Sequence, residues 1–233
     1  HHGGAEQKYL GEVVYGGLDG IVTTFAIVSG VAGAELGGGV VLILGLANLF
    51  ADGLSMATGA YLSSKAELER YDEERRRELW EIDNYPEGER AELVDIYQRQ
   101  GYSLEDAQSI TRVLTQDRER WADVMMAQEL DLLREDRNPL LIGAATLAAF
   151  VAAGSLPLLV YLVDLVRPLG SSTTFAVSIA LSALALFGLG AAKVRVTGRN
   201  WLRSGLEMLV VGGLAAGVAY LIGYLLRGLG VSA

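Results

Sequence analysis

Five apolar stretches of the sequence, each long enough to cross a lipid bilayer as a helix, limit most strongly which folds this chain can adopt. A bilayer core of about 30 Å requires roughly 20 consecutive, mainly apolar helical residues. The stretches cover residues 13–34, 39–62, 139–163, 173–194 and 205–226. The first contains Asp19, a residue type that is rare inside a membrane span. The sequence therefore predicts an all-α membrane protein with five transmembrane helices.

The formal charge of the chain is concentrated between the second and third apolar stretches. Residues 65–137 contain 21 acidic and 12 basic side chains, whereas the rest of the chain contains 7 of each. An acidic block of this kind repels nucleic acid and attracts cations, so nucleic acid is not expected as a partner. We expect three parts: residues 1–62 with the first two spans, an inserted acidic domain at 63–138, and residues 139–233 with the last three spans.

The acidic domain has the pattern of three helices and no β-strand. The first predicted helix covers residues 65–84 and continues directly from the second span, until Pro86 interrupts it. The second covers residues 87–100 and is ended by Gly101.

A third helix is predicted to begin after Ser103. Ser103 followed by Asp106 is a variant of the capping box, in which the serine side chain accepts a hydrogen bond from the first turn. This helix is expected to run to Arg137, and a break near Thr115 is left open.

Basic residues near the short loops predict the orientation in the membrane, because cytoplasmic loops are enriched in Lys and Arg. The loop after the third stretch contains only Arg167, and the loop after the first contains no basic residue. The turn between the fourth and fifth stretches is flanked by Lys193, Arg195, Arg199 and Arg203. With five spans, this turn lies on the same side as the acidic domain. We therefore expect the acidic domain and the N-terminus to be cytoplasmic.

Paired glutamates in the acidic domain are candidate metal ligands. Glu78 and Glu81 are three residues apart on one predicted helix, and Glu89 and Glu92 are three apart on the next. Each pair projects from one helix face, and the break at Pro86 lets the two faces meet. Oxygen ligands alone would suit Mg²⁺, Ca²⁺, Mn²⁺ or Fe²⁺. The alternative is an ordinary solvated surface, since glutamates beside arginines are common on exposed helices.

Two methionines narrow the choice of metal. Met125 and Met126 precede Glu129 by four and three residues, so a thioether and a fifth carboxylate could share one helix face. Sulfur is a softer ligand than oxygen and favours transition metals. Adjacent methionines are also common as core residues, and that interpretation stays open.

Polar residues within the first two spans are candidate pathway residues. Asn48, Asp52 and Met56 follow one another at four-residue intervals in the second span, and Asp19 and Thr23 lie in the first. A carboxylate buried in hydrocarbon costs at least about 2.5–3.5 kcal/mol, so such residues usually have a partner or a function. We predict that they line a path for a cation and that a carboxylate there takes up a proton as the ion leaves. The alternative is that they only hydrogen-bond neighbouring helices.

The residue types needed for most enzyme chemistry are scarce. The chain has no cysteine. Its two histidines, His1 and His2, are the first two residues and are not candidate site residues. No phosphate-binding loop and no Gly-rich dinucleotide motif is present. We therefore expect no enzyme activity and no prosthetic group.

Three strings of the sequence, in this order, resemble a known family. They are DGIVTTFAIVSGVAGA in the first span, ANLFADGLSMATGAYLSSKAELE through the second, and WADVMMAQEL before the third. They look like the vacuolar iron transporter family, in a bacterial version with a cytoplasmic metal-binding domain, and the resemblance covers nearly the whole chain. It implies a five-span homodimer in the bacterial inner membrane, with the first span and the transport path at the dimer interface. It further implies export of Fe²⁺, and in some members of Mn²⁺ or other divalent metals, in exchange for protons.

The resemblance also implies residue roles. The family's metal-binding glutamates and paired methionines correspond to Glu78, Glu81, Glu89, Glu92, Glu129, Met125 and Met126. Its intramembrane acid corresponds to Asp19 and its pathway methionine to Met56. Plant-type members carry a glutamate where this chain has Asn48, and here Asp52 follows one turn later. The number of pathway carboxylates therefore differs from the plant pattern.

Two alternative functions remain at this point. A membrane-anchored metal sensor or storage module would bind ions in the acidic domain without moving them, but it would not need the polar residues within the spans. A calcium or magnesium transporter is disfavoured by the methionines.

Overall fold

The computed structural model describes residues 9–197 and 200–228, and these form two compact units. The membrane unit contains the residues up to Tyr61 and from Arg137 onward, and the acidic unit is Leu62–Asp136. Four residues considered above, His1, His2, Arg199 and the side chain of Arg195, lie outside the described part. The helices are α1 Leu10–Gly33, α2 Gly38–Asn84, α3 Pro86–Arg99, α4 Leu104–Leu114, α5 Arg118–Gln128, α6 Pro139–Gly154, α7 Leu156–Val166, α8 Ser171–Thr197 and α9 Trp201–Leu226.

The described residues form helices and no β-strand. Helices α1, α2, α8 and α9 are each long and apolar enough to cross a membrane, and the pair α6 and α7 gives a fifth candidate span. Exposed apolar side chains such as Val210, Leu214 and Val218 on α9 suit contact with lipid. The prediction of an all-α, multi-pass membrane protein is confirmed.

The third apolar stretch forms two helices rather than one continuous span. Helices α6 and α7 meet at Ser155 with a bend of 49°. Pro157 stands in the first turn of α7, where its missing N–H and fixed φ angle favour a new helix start. Gly154, just before the bend, lets the end of α6 lie close to α1, because a Cβ atom there would lie 2.7 Å from the carbonyl oxygen of Gly20.

Helix α1 packs most extensively against α6 and α9 in the membrane unit. A Cβ atom on Gly20 would collide with the carbonyl oxygen of Phe150, so the glycine lets α1 and α6 approach closely. The apolar core beside it is formed by Val28, Val31, Val41, Leu42, Leu49, Phe150, Leu158, Val160 and Tyr161. Asp19, next to Gly20, is half-buried beside this packing.

The first two helices of the acidic unit follow the prediction. Helix α2 continues from the second apolar stretch to Asn84, and α3 begins at Pro86. Gly101, with φ +100°, follows α3 in a conformation that favours glycine. Ser103 Oγ accepts a hydrogen bond from the Asp106 N–H at 3.2 Å, so the predicted cap of the next helix is confirmed.

The third predicted helix is divided at Thr115, where the sequence left a break open, into two short helices, α4 and α5. Asp117 begins α5 by accepting a hydrogen bond from the Arg120 N–H at 2.8 Å, because aspartate is a strong N-cap residue. The helix ends at Gln128, and the prediction that it reaches Arg137 was wrong. The backbone of Asp131 has φ +53°, which cannot continue a right-handed helix.

Candidate metal site

Three glutamates from three helical segments converge in the acidic unit. Glu78 lies on α2, Glu89 on α3, and Glu129 directly follows α5. One carboxylate oxygen from each lies within 4.8 Å of the other two. Oxygens that share one divalent ion, at about 2.0–2.6 Å from it, lie at most about 5 Å apart. This glutamate cluster (Glu78, Glu89 and Glu129) is therefore compact enough to share an ion.

Two of the three glutamates in the cluster are buried and poorly supplied with hydrogen-bond donors, whereas Glu129 is exposed. Glu78 is 0% exposed and Glu89 is 6% exposed. Both carboxylate oxygens of Glu78, and Oε2 of Glu89, are buried and accept no hydrogen bond from the described residues. A buried carboxylate without donors is destabilising unless it is protonated or bound to a cation.

Apolar neighbours explain why these two glutamates are buried. Ile82 follows Glu78 by four residues on α2, and Leu93 follows Glu89 by four residues on α3, so each glutamate shares a face with an apolar residue. Ile82 and Leu93 pack with Trp121, Ala122 and Met125 into the core of the acidic unit. The hydrophobic contacts that fold the unit thus place both carboxylates inside it.

Burial changes the protonation of the cluster. Burial first, and then the negative charges of Glu129, Glu89 and Glu81, together raise the pKa of Glu78 from 4.5 to about 7. The pKa of Glu89 also rises to about 7, through burial first and then through Glu92, Glu81 and Glu129. Desolvation, Glu92 and Glu81 raise the pKa of Glu129 as well. Near neutral pH, protons therefore occupy part of this cluster, and a cation that binds there would have to displace them.

The other four predicted ligands lie outside this three-oxygen group. Glu81 and Glu92 are close enough to raise the pKa of Glu89 and Glu129, so they add negative charge around the cluster. Met125 and Met126 are both fully buried, and Met125 packs in the core of the acidic unit. The contacts of Met125 are therefore those of a core residue, and its role as a metal ligand stays a prediction.

Two arginine contacts join the helices that carry the cluster. Arg118 of α5 donates from Nε and Nη2 to the two carboxylate oxygens of Asp83 on α2, at 2.8 and 2.7 Å. Arg75 of α2 donates from Nη2 to Glu119 and Asp123 on α5, at 2.8 and 3.0 Å. These partners are 35 to 48 residues apart in sequence, and no local spacing predicts them.

In the membrane unit, the structure brings two of the predicted pathway residues together. Asp19 of α1 lies within electrostatic range of Asp52 on α2. Nδ2 of Asn48 is buried and has no hydrogen-bond acceptor among the described residues. Thr23 Oγ1 donates to the carbonyl oxygen of Asp19 at 2.8 Å, so its hydroxyl bonds within its own helix. Met56 is half-buried and packs against the core of the membrane unit.

A sequence profile of the VIT family matches residues 10–224, which is most of the chain. The chain belongs to the VIT family. The membership predicted from the three sequence strings is confirmed.

Relatives of this VIT family chain align along most of its length. A protein named vacuolar iron transporter from Toxoplasma gondii is 38% identical over 97% of the chain and 77% of its own length. One of the same name from Plasmodium falciparum is 34% identical over 95% of the chain and 84% of its own length. Vacuolar iron transporter 1 of Arabidopsis thaliana is 34% identical over 90% of the chain and 82% of its own length. The alignments include both the membrane unit and the acidic unit.

Proposed function

We propose that this VIT family chain exports divalent transition metal ions from the cytoplasm in exchange for protons. Fe²⁺ is the first candidate for the cargo and Mn²⁺ the second. Membership of the family and the names of the relatives support metal transport. The observation on which the proposal depends is the glutamate cluster, in which buried oxygens of Glu78 and Glu89, without hydrogen-bond donors from the described residues, converge with an oxygen of the exposed Glu129.

The acidic unit captures the ion in this proposal. Glu78, Glu89 and Glu129 supply oxygens to the metal, and Glu81 and Glu92 supply nearby negative charge or further ligands. We assign Met126 as the thioether of the site, because Met125 is engaged in the core. A sulfur ligand would favour Fe²⁺ and other transition metals over Ca²⁺ and Mg²⁺.

The membrane unit provides the transport path in this proposal. Asp19 and Asp52, with Asn48 and Met56 nearby in sequence on α2, coordinate the partly dehydrated ion. Protons from the far side compete for the carboxylates and drive the ion off. The closeness of Asp19 and Asp52 favours transport over a membrane-anchored sensor or store, which would not require two acids within its spans.

The proposal includes a location and an assembly. Lys193 and Arg203 flank the turn between α8 and α9, which supports a cytoplasmic position for that turn. We place the N-terminus and the acidic unit on the same side, in a bacterial inner membrane, and propose that the chain works as a homodimer. The metal is cargo, and no prosthetic group is part of the proposal.

Transport by purified full-length protein in liposomes tests this function. Vesicles contain a pH-sensitive dye and a metal-sensitive dye, and Fe²⁺ is added outside without oxygen. We expect Fe²⁺ uptake that accelerates when the vesicle interior is acidic and that is accompanied by proton loss from the interior. Ca²⁺ is the control cation. Uptake equal to that of protein-free vesicles would contradict transport, and uptake that ignores the pH gradient would contradict exchange with protons.

A further inference from the structure

Arg77 of α2 has a side chain that faces three carboxylates at the edge of the glutamate cluster. Its Nη1 lies 2.9 Å from Oε2 of Glu74, its Nη2 lies 4.0 Å from Oε1 of Glu78, and its Nε lies 3.9 Å from Oε1 of Glu81. Each guanidinium nitrogen therefore faces a different carboxylate. The contact with Glu74 is much the shortest, and the other two lie at the limit of ion-pair distance.

The position of Arg77 on its helix produces this arrangement. Glu74 and Glu81 are three and four residues away, on the same helix face, and Glu78 is the next residue. The Arg77 side chain is 52% exposed, whereas the Glu78 side chain is 1% exposed. The guanidinium can therefore move into water, but the Glu78 carboxylate cannot. A mobile positive charge thus lies beside a fixed, buried negative charge.

We propose that Arg77 is a tethered counter-cation that competes with the metal ion for the glutamate cluster and so sets the metal concentration at which the site fills. This inference rests on the proposed function, because it requires the cluster to bind a divalent ion. An ion bound between the glutamates would lie within several ångströms of the guanidinium, and the two positive charges repel. Metal binding must therefore displace Arg77 toward Glu74 or toward water.

Substitution of Arg77 by glutamine tests the competition directly. The full-length protein in detergent micelles is titrated with Mn²⁺ at 0.15 M salt, because Mn²⁺ does not oxidise readily. Loss of one positive charge about 6 Å from a divalent ion is expected to tighten Mn²⁺ binding by about threefold to tenfold after screening. The matched control is Arg76→Gln on the same helix, since Arg76 pairs with Glu73. We expect the control to change the dissociation constant by less than about twofold.

A double-mutant cycle with Glu74 separates competition from simple long-range charge. Glu74 holds Arg77 away from the cluster, so Glu74→Gln should let Arg77 compete more strongly and weaken Mn²⁺ binding. In the Arg77→Gln protein, Glu74→Gln can affect Mn²⁺ binding only through the loss of the negative charge of Glu74. We therefore expect Glu74→Gln to weaken binding more when Arg77 is present than when it is absent.

Each outcome of these titrations is decisive. Tighter binding by Arg77→Gln together with coupling to Glu74 supports the inference. Binding by Arg77→Gln that is equal to or weaker than that of the unsubstituted protein, in samples with the same helical circular dichroism, overturns this inference and leaves the proposed function intact. If neither the unsubstituted protein nor Arg77→Gln binds Mn²⁺ or Fe²⁺, the metal capture step is overturned, and this inference with it.

Discussion

The acidic unit and the membrane unit use carboxylates in opposite ways. In the acidic unit, acidic residues are abundant, and many exposed ones pair with arginine, as Asp83 does with Arg118. Glu78 and Glu89 are exceptions, because they are buried and because both oxygens of Glu78 and Oε2 of Glu89 accept no hydrogen bond from the described residues. In the membrane unit, acids are few, and Asp19 and Asp52 lie near each other within candidate spans.

This difference indicates two different tasks. The glutamate cluster is held by an apolar core that includes Ile82, Leu93 and Trp121, and such a fixed arrangement suits equilibrium binding. Asp19 and Asp52 are only partly buried, in helices packed closely through glycine, and in the proposed path an ion would therefore have fewer fixed ligands to leave. The comparison predicts that substitutions in the two units have separable effects on binding and on transport.

The largest expected effect is on transport and follows from Asp19→Asn. This change removes one of two neighbouring carboxylates in the proposed path while keeping the size of the side chain. We expect Fe²⁺ uptake in liposomes to fall to the rate of protein-free vesicles, while Mn²⁺ binding by the protein in detergent stays within about twofold. Glu35→Gln, which changes an exposed carboxylate paired with Arg227, is the control and should keep transport. Uptake by Asp19→Asn at the full rate would remove the path from the proposal.

The second effect is on the stability of the metal-free acidic unit. A carboxylate with a raised pKa in the folded state binds a proton that the unfolded state releases, so the free energy of unfolding decreases as the pH rises from about 4.5 to about 7. For Glu78 this loss is on the order of 3 kcal/mol, since one pKa unit corresponds to about 1.4 kcal/mol. The buried Trp121 provides a fluorescence signal for thermal unfolding at each pH.

Two comparisons sharpen this pH prediction. Glu78→Gln cannot ionise, so its unfolding temperature should depend less on pH over the same interval. Saturating Mn²⁺ should raise the unfolding temperature of the unsubstituted protein at pH 7.5, because a ligand that binds only the folded state stabilises it. An unfolding temperature that rises from pH 5 to pH 7 in metal-free protein, and equally in Glu78→Gln, would show that these carboxylates do not control stability.

The pattern of the sequence predicts local features of this fold well. Four of the five apolar stretches form single long helices, and the structure also agrees with the interruption at Pro86 and the cap at Ser103, each of which depends on a few neighbouring residues. Gly154 and Pro157 are a local signal for the bend at Ser155. Because the stretch is apolar throughout, its composition alone predicts one continuous span. Hydropathy measures whether a segment can lie in lipid, but it does not report whether its helix is continuous.

The arrangement of the glutamate cluster could be predicted only in part. The spacing within each pair indicates a shared face, yet only one member of each pair, Glu78 and Glu89, joins the three-oxygen group with Glu129. The apolar residue four positions later distinguishes these members, because Ile82 and Leu93 are core residues. The position of Glu129, about 40 residues beyond Glu89, depends on the tertiary packing of α5 and has no local signal.

The third effect is on metal affinity and follows from Glu78→Gln. The substitution replaces a ligand oxygen and removes one negative charge from the centre of the cluster. We expect Mn²⁺ binding to weaken by about tenfold or more, since the lost charge is at contact distance from the ion. Glu73→Gln is the matched control, because Glu73 lies on an exposed face of the same helix and pairs with Arg76. Equal affinities for the two variants would place the binding site elsewhere.

The smallest effect also tests how the acidic unit holds its cluster together. Arg118 joins α5 to α2 through Asp83, and Glu129 follows α5, so the pair positions one ligand relative to another. If Arg118 acted only through its charge, Arg118→Gln would tighten Mn²⁺ binding slightly, as proposed for Arg77→Gln. If it positions α5, the same change loosens Glu129 and weakens binding.

We expect Arg118→Gln to weaken Mn²⁺ binding by about twofold to fourfold, since an exposed ion pair makes only a small contribution to holding two helices together. The exchange of both residues, Asp83→Arg with Arg118→Asp, keeps the pair and should restore part of the lost affinity. We expect Arg77→Gln to tighten Mn²⁺ binding and Arg118→Gln to weaken it, although both substitutions remove one positive charge from the same unit. This difference in direction separates an effect of charge from an effect of positioning. Tighter Mn²⁺ binding in both variants would mean that net charge alone governs the metal affinity of the acidic unit. The fixed arrangement of the glutamate cluster would then not control that affinity.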